Sequence, residues 1–288
     1  MDKVGIVGLG MIGTALVKRY IQCGVVPVVY DIKDQKVQAA EAEGAIPASS
    51  SSDLAAQCGI ILLCVQTDDQ CVRVVTGEGG LLTGAKPDTC IAVLATVLPK
   101  TVIAIAEQAK QHNVHVVDTP VAGRGQFSIE EGSMSALVGN DGELYRRLEP
   151  VLGIFASNIV PAGILGSGAA LKLAHNIVVY AGFAAMIEAV DLARAAGVAD
   201  GLIEEVTKAS GAMSRLSALF IPNYQSRRNI HGKTDDDETL RVAAALVEKD
   251  LSDALEVARG HDVDLPIAKL ISHFGARIFP VPGEDTDS

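Results

Sequence analysis

The sequence predicts an α/β chain, a doubly wound parallel sheet followed by an all-helical second part. Three observations carry this. Short apolar runs alternate with segments of helical spacing from Val4 to Val160, the pattern of parallel strands joined by crossover helices. A Gly-x-Gly-x-x-Gly run lies between the first strand and the first helix. Beyond about Gly163 the strand signals stop and helical spacing continues. The expected domains are 1–163 and 164–288.

The elements follow in order. Val4-Gly5-Ile6-Val7 reads as a buried strand, and Thr14 to Cys23 as a helix closed by Gly24. Between them stands Gly8-Leu9-Gly10-Met11-Ile12-Gly13. In a strand–turn–helix context, Gly8 permits the tight turn, Gly10 lets a pyrophosphate approach, and Gly13 lets helix and strand pack closely. The helix N-terminus then faces the phosphates with free N–H groups. These six residues are read as a dinucleotide site, and the first domain as a Rossmann domain.

Val25 to Tyr30 is a second strand ending at Asp31, 18 residues beyond Gly13. An acid there accepts the adenosine ribose hydroxyls and repels a 2′-phosphate, which favours NAD over NADP. Asp31 also reads as an N-cap for a helix over 33–43, and Lys33 and Lys36 leave room for NADP. Ser49 to Ser52 caps a helix around 53–57. Ile60 to Val65 is a strand; Val65 and Gln66 at its carboxyl end are candidate cofactor contacts, because open α/β sheets bind ligands there. Ile91 to Leu94 is a strand followed by Ala95-Thr96-Val97-Leu98-Pro99, with Pro99 in the first turn of a helix to Gln111. Val114 to Val117 ends in Asp118.

Asp118-Thr119-Pro120-Val121-Ala122-Gly123-Arg124-Gly125 breaks the alternation. It reads as a substrate loop whose N–H groups and Arg124 receive an acid group, or as an ordinary loop with a solvated Arg. Ser135 to Val138 is the last strand of the sheet, 141–155 a helix, and Ser157 to Val160 a short strand. Helices are then expected over 168–196, 200–209, 214–220, 237–259 and 266–279. The tail from Pro280 is acidic and loose.

Lys172 is the one cation in the first turns of the long apolar helix, and Asn176 shares its face four residues on. Burying an ammonium without a partner is costly, so this pair is the candidate chemical centre. A lysine that snorkels to solvent is the other reading. His175 points away from that face.

Composition bounds the rest. Hydrophobic residues make up 49% and charged residues 20%, enough for a sizeable core, and the net charge of −11 excludes nucleic acid and anionic membranes as partners. The apolar run Ile177 to Ile187 is too short to cross a bilayer. The five cysteines lack a CxxC pair and the six histidines are scattered. Reduced thiols, no metal site, no leader peptide and a cytoplasmic location are expected.

With these residues in place, the chain resembles the β-hydroxyacid dehydrogenase family, which includes 3-hydroxyisobutyrate dehydrogenase, tartronate semialdehyde reductase and 6-phosphogluconate dehydrogenase. Gly5 to Gly13 is similar to its cofactor fingerprint. Ala95 to Pro99 resembles its STxxP turn, Asp118 to Gly123 its substrate loop, and Gly168-Ala169-Ala170-Leu171-Lys172 through Asn176 its GxxxKxxxN motif. Lys249-Asp250-Leu251 resembles its late KDL motif. The resemblance implies an NAD(P)-dependent oxidoreductase acting on a small anionic hydroxy acid or semialdehyde, with Lys172 as general acid and base and Asn176 orienting it. It implies Thr96 near the nicotinamide, Lys249 on the cofactor, substrate at Ala122, Gly123, Arg124, Lys172 and Asn176, and a homodimer or homotetramer. Lys249 is also a candidate for lowering the pKa of Lys172. Ala122 stands where the family has Ser, and Arg124 near a second Gly; sulfolactaldehyde reductases are similar in placing an Arg there. The competing readings are an imine reductase, whose relatives usually have Asp or Tyr at the Lys172 position, and a non-catalytic dinucleotide-binding protein. Arg215, Tyr224, Arg227, Arg228 and His231 either cap the pocket or are solvated.

Overall fold

The computed structural model describes residues 2–228 and 237–281, with side chains for all of these except Arg227 and Arg228. His231 and the tail from residue 282 lie outside the described residues. The chain forms two compact units, Met1–Lys172 and Leu173–Ser288.

In the first unit six parallel strands form one sheet. They are β1 (Val4–Val7), β2 (Val28–Tyr30), β3 (Ile46–Pro47), β4 (Ile60–Leu63), β5 (Cys90–Val93) and β6 (His115–Asp118), in the order β3-β2-β1-β4-β5-β6. The strand order reverses between β1 and β4, the crevice position where such sheets bind nucleotides. Strand side chains alternate between two cores. Ile60, Leu62, Cys90 and Ala92 enter one with Leu16 and Tyr20 of α1 (Met11–Gln22). Ile61, Leu63, Ile91 and Val93 enter the other with Val102 and Ile105 of α6 (Pro99–Lys110). Both faces are covered, which is why these strands read as unbroken apolar runs.

Between these strands lie α2 (Asp34–Ala42), α3 (Ser51–Gln57), α4 (Asp68–Thr76) and α5 (Leu81–Gly84). Ser50 caps α3 by accepting from the Asp53 N–H at 3.0 Å, as its serine run predicts. The N-cap of α2 is Lys33, not Asp31. The helix α4 was not expected: Val72, Val74, Val75 and Thr76 are β-branched, but Thr67 accepts from the Gln70 N–H at 3.2 Å and starts the turn.

The strand at 134–138 does not extend this sheet. It is β8 (Met134–Val138), which pairs antiparallel with β7 (Val121–Ala122) and parallel with β9 (Ala156–Pro161) in a separate three-stranded sheet. The short helix α7 (Gln126–Glu130) joins β7 to β8, and α8 (Glu143–Leu152) joins β8 to β9. Leu148, Val151, Leu152 and Phe155 fasten this piece to the α1 side of the large sheet.

The helix α9 (Ser167–Ala195) runs from the first unit into the second. The expected division after residue 163 falls just before it. The units divide inside it because its first turn is bound to the first unit through Asp118, whose carboxylate accepts from the Gly166 N–H at 2.9 Å and the Ala169 N–H at 2.8 Å. Gly168 belongs to the same close approach, since a Cβ there would lie 2.3 Å from the Leu137 carbonyl oxygen.

The second unit is helical: the rest of α9, α10 (Leu202–Ala209), α11 (Arg215–Arg228), α12 (Asp237–Gly260), α13 (Pro266–Ile271) and α14 (Gly275–Ile278). The α11 helix passes the expected end at Phe220 and continues through Pro222. Its aromatic face holds it in place: Phe220 stacks on Phe183 at 4.1 Å and on Tyr224 at 5.8 Å. Tyr224 is therefore a core residue. The single helix expected over 266–279 is broken between α13 and α14. Among the described residues, α9 is the one helix long and apolar enough to cross a bilayer by length and composition. Its buried side packs Phe183, Ile187 and Val190 against Val247 and Leu251.

Candidate active site

Around Gly8 to Gly13 the glycines are required by contact. Gly8 has φ +90, and a Cβ on it would lie 2.5 Å from the Cys64 carbonyl oxygen. At Gly13 a Cβ would lie 1.9 Å from the Gly8 carbonyl oxygen. Gly10 differs: its missing Cβ faces open space, with nothing within 4 Å. That opening lies at the N-terminus of α1, where the first-turn N–H groups have no acceptor within the helix. A pocket of about 390 Å³ adjoins it, lined by Leu9, Gly10, Met11, Thr14, Lys18 and Lys36 among others. Open backbone, free N–H groups and two lysines fit a dinucleotide's phosphates. The Leu9 side chain is core and Met11 is exposed, while Ile12 packs on the core.

Asp31 does not cap α2. Its carboxylate accepts from the Leu9 N–H at 2.6 Å and the Lys33 N–H at 2.9 Å, with the Lys36 ammonium 4.0 Å away. The acid is thus held against the glycine loop. Val65, half-buried, follows the carboxyl end of β4 and lies 3.5 Å from a Cβ built on Gly8. The neighbouring Gln66 N–H donates to Gln70 Oε1 at 2.9 Å. One strand over, Thr96 is half-buried after β5. Asp68, in the same strand-end segment, accepts from the Leu98 N–H at 3.0 Å and so ties the two strand-end loops together. Burial pushes the Cys64 thiol, beneath this loop, up to about 12, with Cys71 adding to the effect.

In the 118–133 segment Ala122 is a buried residue of β7. Gly123 is needed for close approach: a Cβ would lie 2.6 Å from Met134 Sδ and 2.9 Å from Ser128 Oγ. The Arg124 N–H donates to Ser128 Oγ at 3.0 Å, so this N–H is already engaged. The Arg124 guanidinium pairs with Glu131. Both expected donors of Arg124 are therefore engaged within the chain. The spacing from 124 to 131 crosses a turn and a short helix, so nothing in the sequence pattern signalled the pair.

On α9, Lys172 is half-buried, and one turn later Asn176 is 4% exposed. The second unit holds Asn176 firmly. Its Nδ2 donates to Asp250 Oδ2 at 2.7 Å, and Tyr180 Oη donates to the same oxygen at 3.0 Å. Lys249 Nζ reaches Asp250 Oδ1 at 3.0 Å and Asp253 Oδ2 at 2.9 Å. Asp250 is 4% exposed, and these donors satisfy it. A carboxylate only accepts, so the amide nitrogen of Asn176 must face it. The amide oxygen then faces His175 Nδ1 at 3.2 Å, which puts the proton on that ring nitrogen. Burial and the charge of Asp250 hold the Tyr180 hydroxyl well above the usual phenol range. Burial lowers the Lys249 pKa, but Asp250 and Asp253 outweigh it and hold it above the ordinary value. Lys249 is thus an ammonium balanced by two carboxylates, which removes the reason for assigning it the lowering of Lys172. Asp250 was named in the sequence only as part of the Lys249-Asp250-Leu251 motif, without its bond to Asn176, and Tyr180 was missed. The signal for Tyr180 was its position four residues beyond Asn176.

Comparison with known proteins adds the following. Residues 3–166 match the model of the NAD-binding domain of 6-phosphogluconate dehydrogenase, and residues 166–288 that of the NAD-binding domain of NADP-dependent 3-hydroxyisobutyrate dehydrogenase. An uncharacterised oxidoreductase of Mycobacterium tuberculosis is 32% identical over 99% of this chain and 96% of its own length. The 2-(hydroxymethyl)glutarate dehydrogenase of Eubacterium barkeri is 27% identical, over 98% of this chain and 92% of its own. A crystal structure of 3-hydroxyisobutyrate dehydrogenase from Salmonella typhimurium shares the fold with a TM-score of 0.83 at 24% identity, covering 99% of this chain and 98% of that one.

Proposed function

The chain belongs to the family of NAD(P)-dependent hydroxyacid dehydrogenases that includes 3-hydroxyisobutyrate dehydrogenase, and from that premise we propose that it oxidises a small anionic hydroxy acid, or reduces the matching semialdehyde, with Lys172 as general acid and base. The observation that carries the reading is the α9 face on which Lys172, Asn176 and Tyr180 recur every fourth residue, with the Asn176 amide clamped by buried Asp250.

Bound nicotinamide dinucleotide supplies or accepts the hydride. Lys172 hydrogen-bonds the reacting oxygen, taking its proton on oxidation and returning it on reduction. Asn176 spends one N–H on Asp250 and keeps a second for the substrate. Arg124 receives the acid group in place of the hydroxyl that Ala122 lacks. The carboxylate of Asp31, fixed beside the glycine loop, supports NAD as the cofactor, since a 2′-phosphate would meet its charge. Val65, Gln66 and Thr96, which follow the carboxyl ends of β4 and β5, complete the proposed cofactor contacts, and Lys249 joins them as a charged contact. The Lys172 amine argues against imine reduction, whose catalysts usually carry Asp or Tyr there.

The test is formation of reduced nicotinamide, followed by absorbance, against short acids hydroxylated at carbon 2 or carbon 3 with carboxylate, sulfonate and phosphonate ends, with NAD and NADP in parallel. Turnover of at least one acid with NAD is expected. Silence across the panel while NADH still binds would refute the substrate class.

We also propose a homo-oligomer formed through α9. Leu171, Val178, Ala185 and Leu192 are exposed at seven-residue intervals, and Val178 and Leu192 are 73% and 72% exposed. Such a stripe is the seam against which a second helix packs, and a second copy supplies that helix. Light scattering is expected to give at least twice the single-chain mass of 30.0 kDa at micromolar concentration; the single-chain mass would end the proposal.

A further inference from the structure

The loop from Arg124 to Ser133 is folded so that its own acid occupies its own cation. Gly125, with φ +57, turns the chain into α7, and α7 delivers Glu131 back to Arg124. One oxygen of Glu131, Oε2, accepts from the Arg124 guanidinium and lies 3.3 Å from Ser133 Oγ. A guanidinium and a hydroxyl converging on a carboxylate oxygen are the contacts an acid ligand would seek. The two partners differ in exposure. The Arg124 side chain is 22% exposed and anchored behind by its N–H on buried Ser128, whereas that of Glu131 is 54% exposed and can turn out to water.

We propose that Glu131 is a built-in competitor for the acid-binding group. It fills the Arg124–Ser133 position when no substrate is present and is displaced by the substrate's acid. The proposal rests on Arg124 receiving that acid, as argued above. An ion pair this exposed shifts an equilibrium by at most about fivefold, so displacement is cheap and the pair tunes affinity without blocking the site. Once displaced, Glu131 leaves its negative charge beside the ligand. A ligand with one acid group tolerates this, and a second acid group close by is repelled. Glu131 therefore sets both the affinity for the acid and a preference for monoanions.

The test uses NADH-loaded enzyme and follows the nicotinamide fluorescence while 3-hydroxypropanoate, a monoanion, or 2-(hydroxymethyl)glutarate, a dianion, is added. Glu131→Gln is expected to tighten the monoanion about two- to fivefold and the dianion by more. Arg124→Ala is expected to weaken both. In the double variant the monoanion's gain from Glu131→Gln should vanish, because a competitor matters only while there is something to compete for. If Arg124→Ala weakens binding and Glu131→Gln does nothing, the competitor is refuted and Arg124 keeps its role. If the monoanion's gain persists without Arg124, Glu131 acts through general charge and the proposal falls. If Arg124→Ala changes nothing, the reading of Arg124 fails, and the competitor with it.

Discussion

Lys172→Ala is expected to lower kcat by roughly 10²–10⁴-fold, the usual worth of a positioned acid–base group, while NADH continues to bind. The two halves of this expectation come from different parts of the molecule. The dinucleotide loop is built from Gly8, Gly10, Gly13 and Asp31, at the ends of β1 and β2, and none of its contacts depends on the α9 side chains. Lys172 is half-buried on α9, so truncation leaves the helix intact; alanine is the best helix former. Steady-state kinetics with the acid found by the panel, beside an NADH titration, checks both halves. Near-normal turnover with intact NADH binding would remove Lys172 from the mechanism. Loss of both would show that the substitution had disturbed the fold.

The largest effect on stability is expected at Asp118. Its carboxylate is 1% exposed and serves two backbone donors at the start of α9, one on each oxygen. Alanine leaves both N–H groups buried without an acceptor. Asparagine keeps one acceptor and turns an amide N–H₂ against the other donor. Either change should cost about 2–4 kcal/mol, from the worth of charged hydrogen bonds and the penalty for an orphaned donor. For a chain of this size that is a fall in Tm of roughly 5–15 °C. There is no room to rearrange: a Cβ on Gly139 would already lie 1.9 Å from Asp118 Oδ1. Thermal unfolding followed by circular dichroism checks this. An Asn variant melting within about 2 °C of the wild type would show that the two bonds carry little. Asp118 also fixes where α9 begins, and hence where Lys172 sits along it, so a loss of turnover should accompany the loss of stability.

The dinucleotide half of the fold was legible because its signals are local. Gly13 is demanded by the Gly8 carbonyl five residues back and Gly8 by its own left-handed φ of +90, and the apolar runs at 4–7, 60–63 and 90–93 are buried on both faces. What stayed hidden depends on partners far along the chain. Strand β8 reads like any other, and only its pairing with β7 and β9 shows that it leaves the main sheet. The continuation of α11 past Pro222 depends on Phe183 and Tyr224. In the candidate site, Lys172 and Asn176 were visible from their spacing. Asp118 was visible as part of a substrate loop, but its use as a cap for α9, 48 residues on to Gly166, was not. Asp250 meets Asn176 across 74 residues, and no periodicity carries that information.

The dinucleotide loop is backed by a cysteine whose thiol bears on how the protein meets oxidants. The Cys64 carbonyl oxygen would lie 2.5 Å from a Cβ on Gly8, and the Cys64 Cβ 3.7 Å from one on Gly13, so this residue backs the turn. Peroxides and electrophiles attack thiolates, and a thiol pushed up to about 12 is almost wholly protonated at neutral pH. Cys90, likewise raised to about 12 by burial, is equally inert. Cys23, exposed at the end of α1, is the accessible thiol, and damage there falls outside the turn. Oxidation is therefore expected first at Cys23, away from the turn, while the residue that backs the dinucleotide loop keeps its thiol protonated.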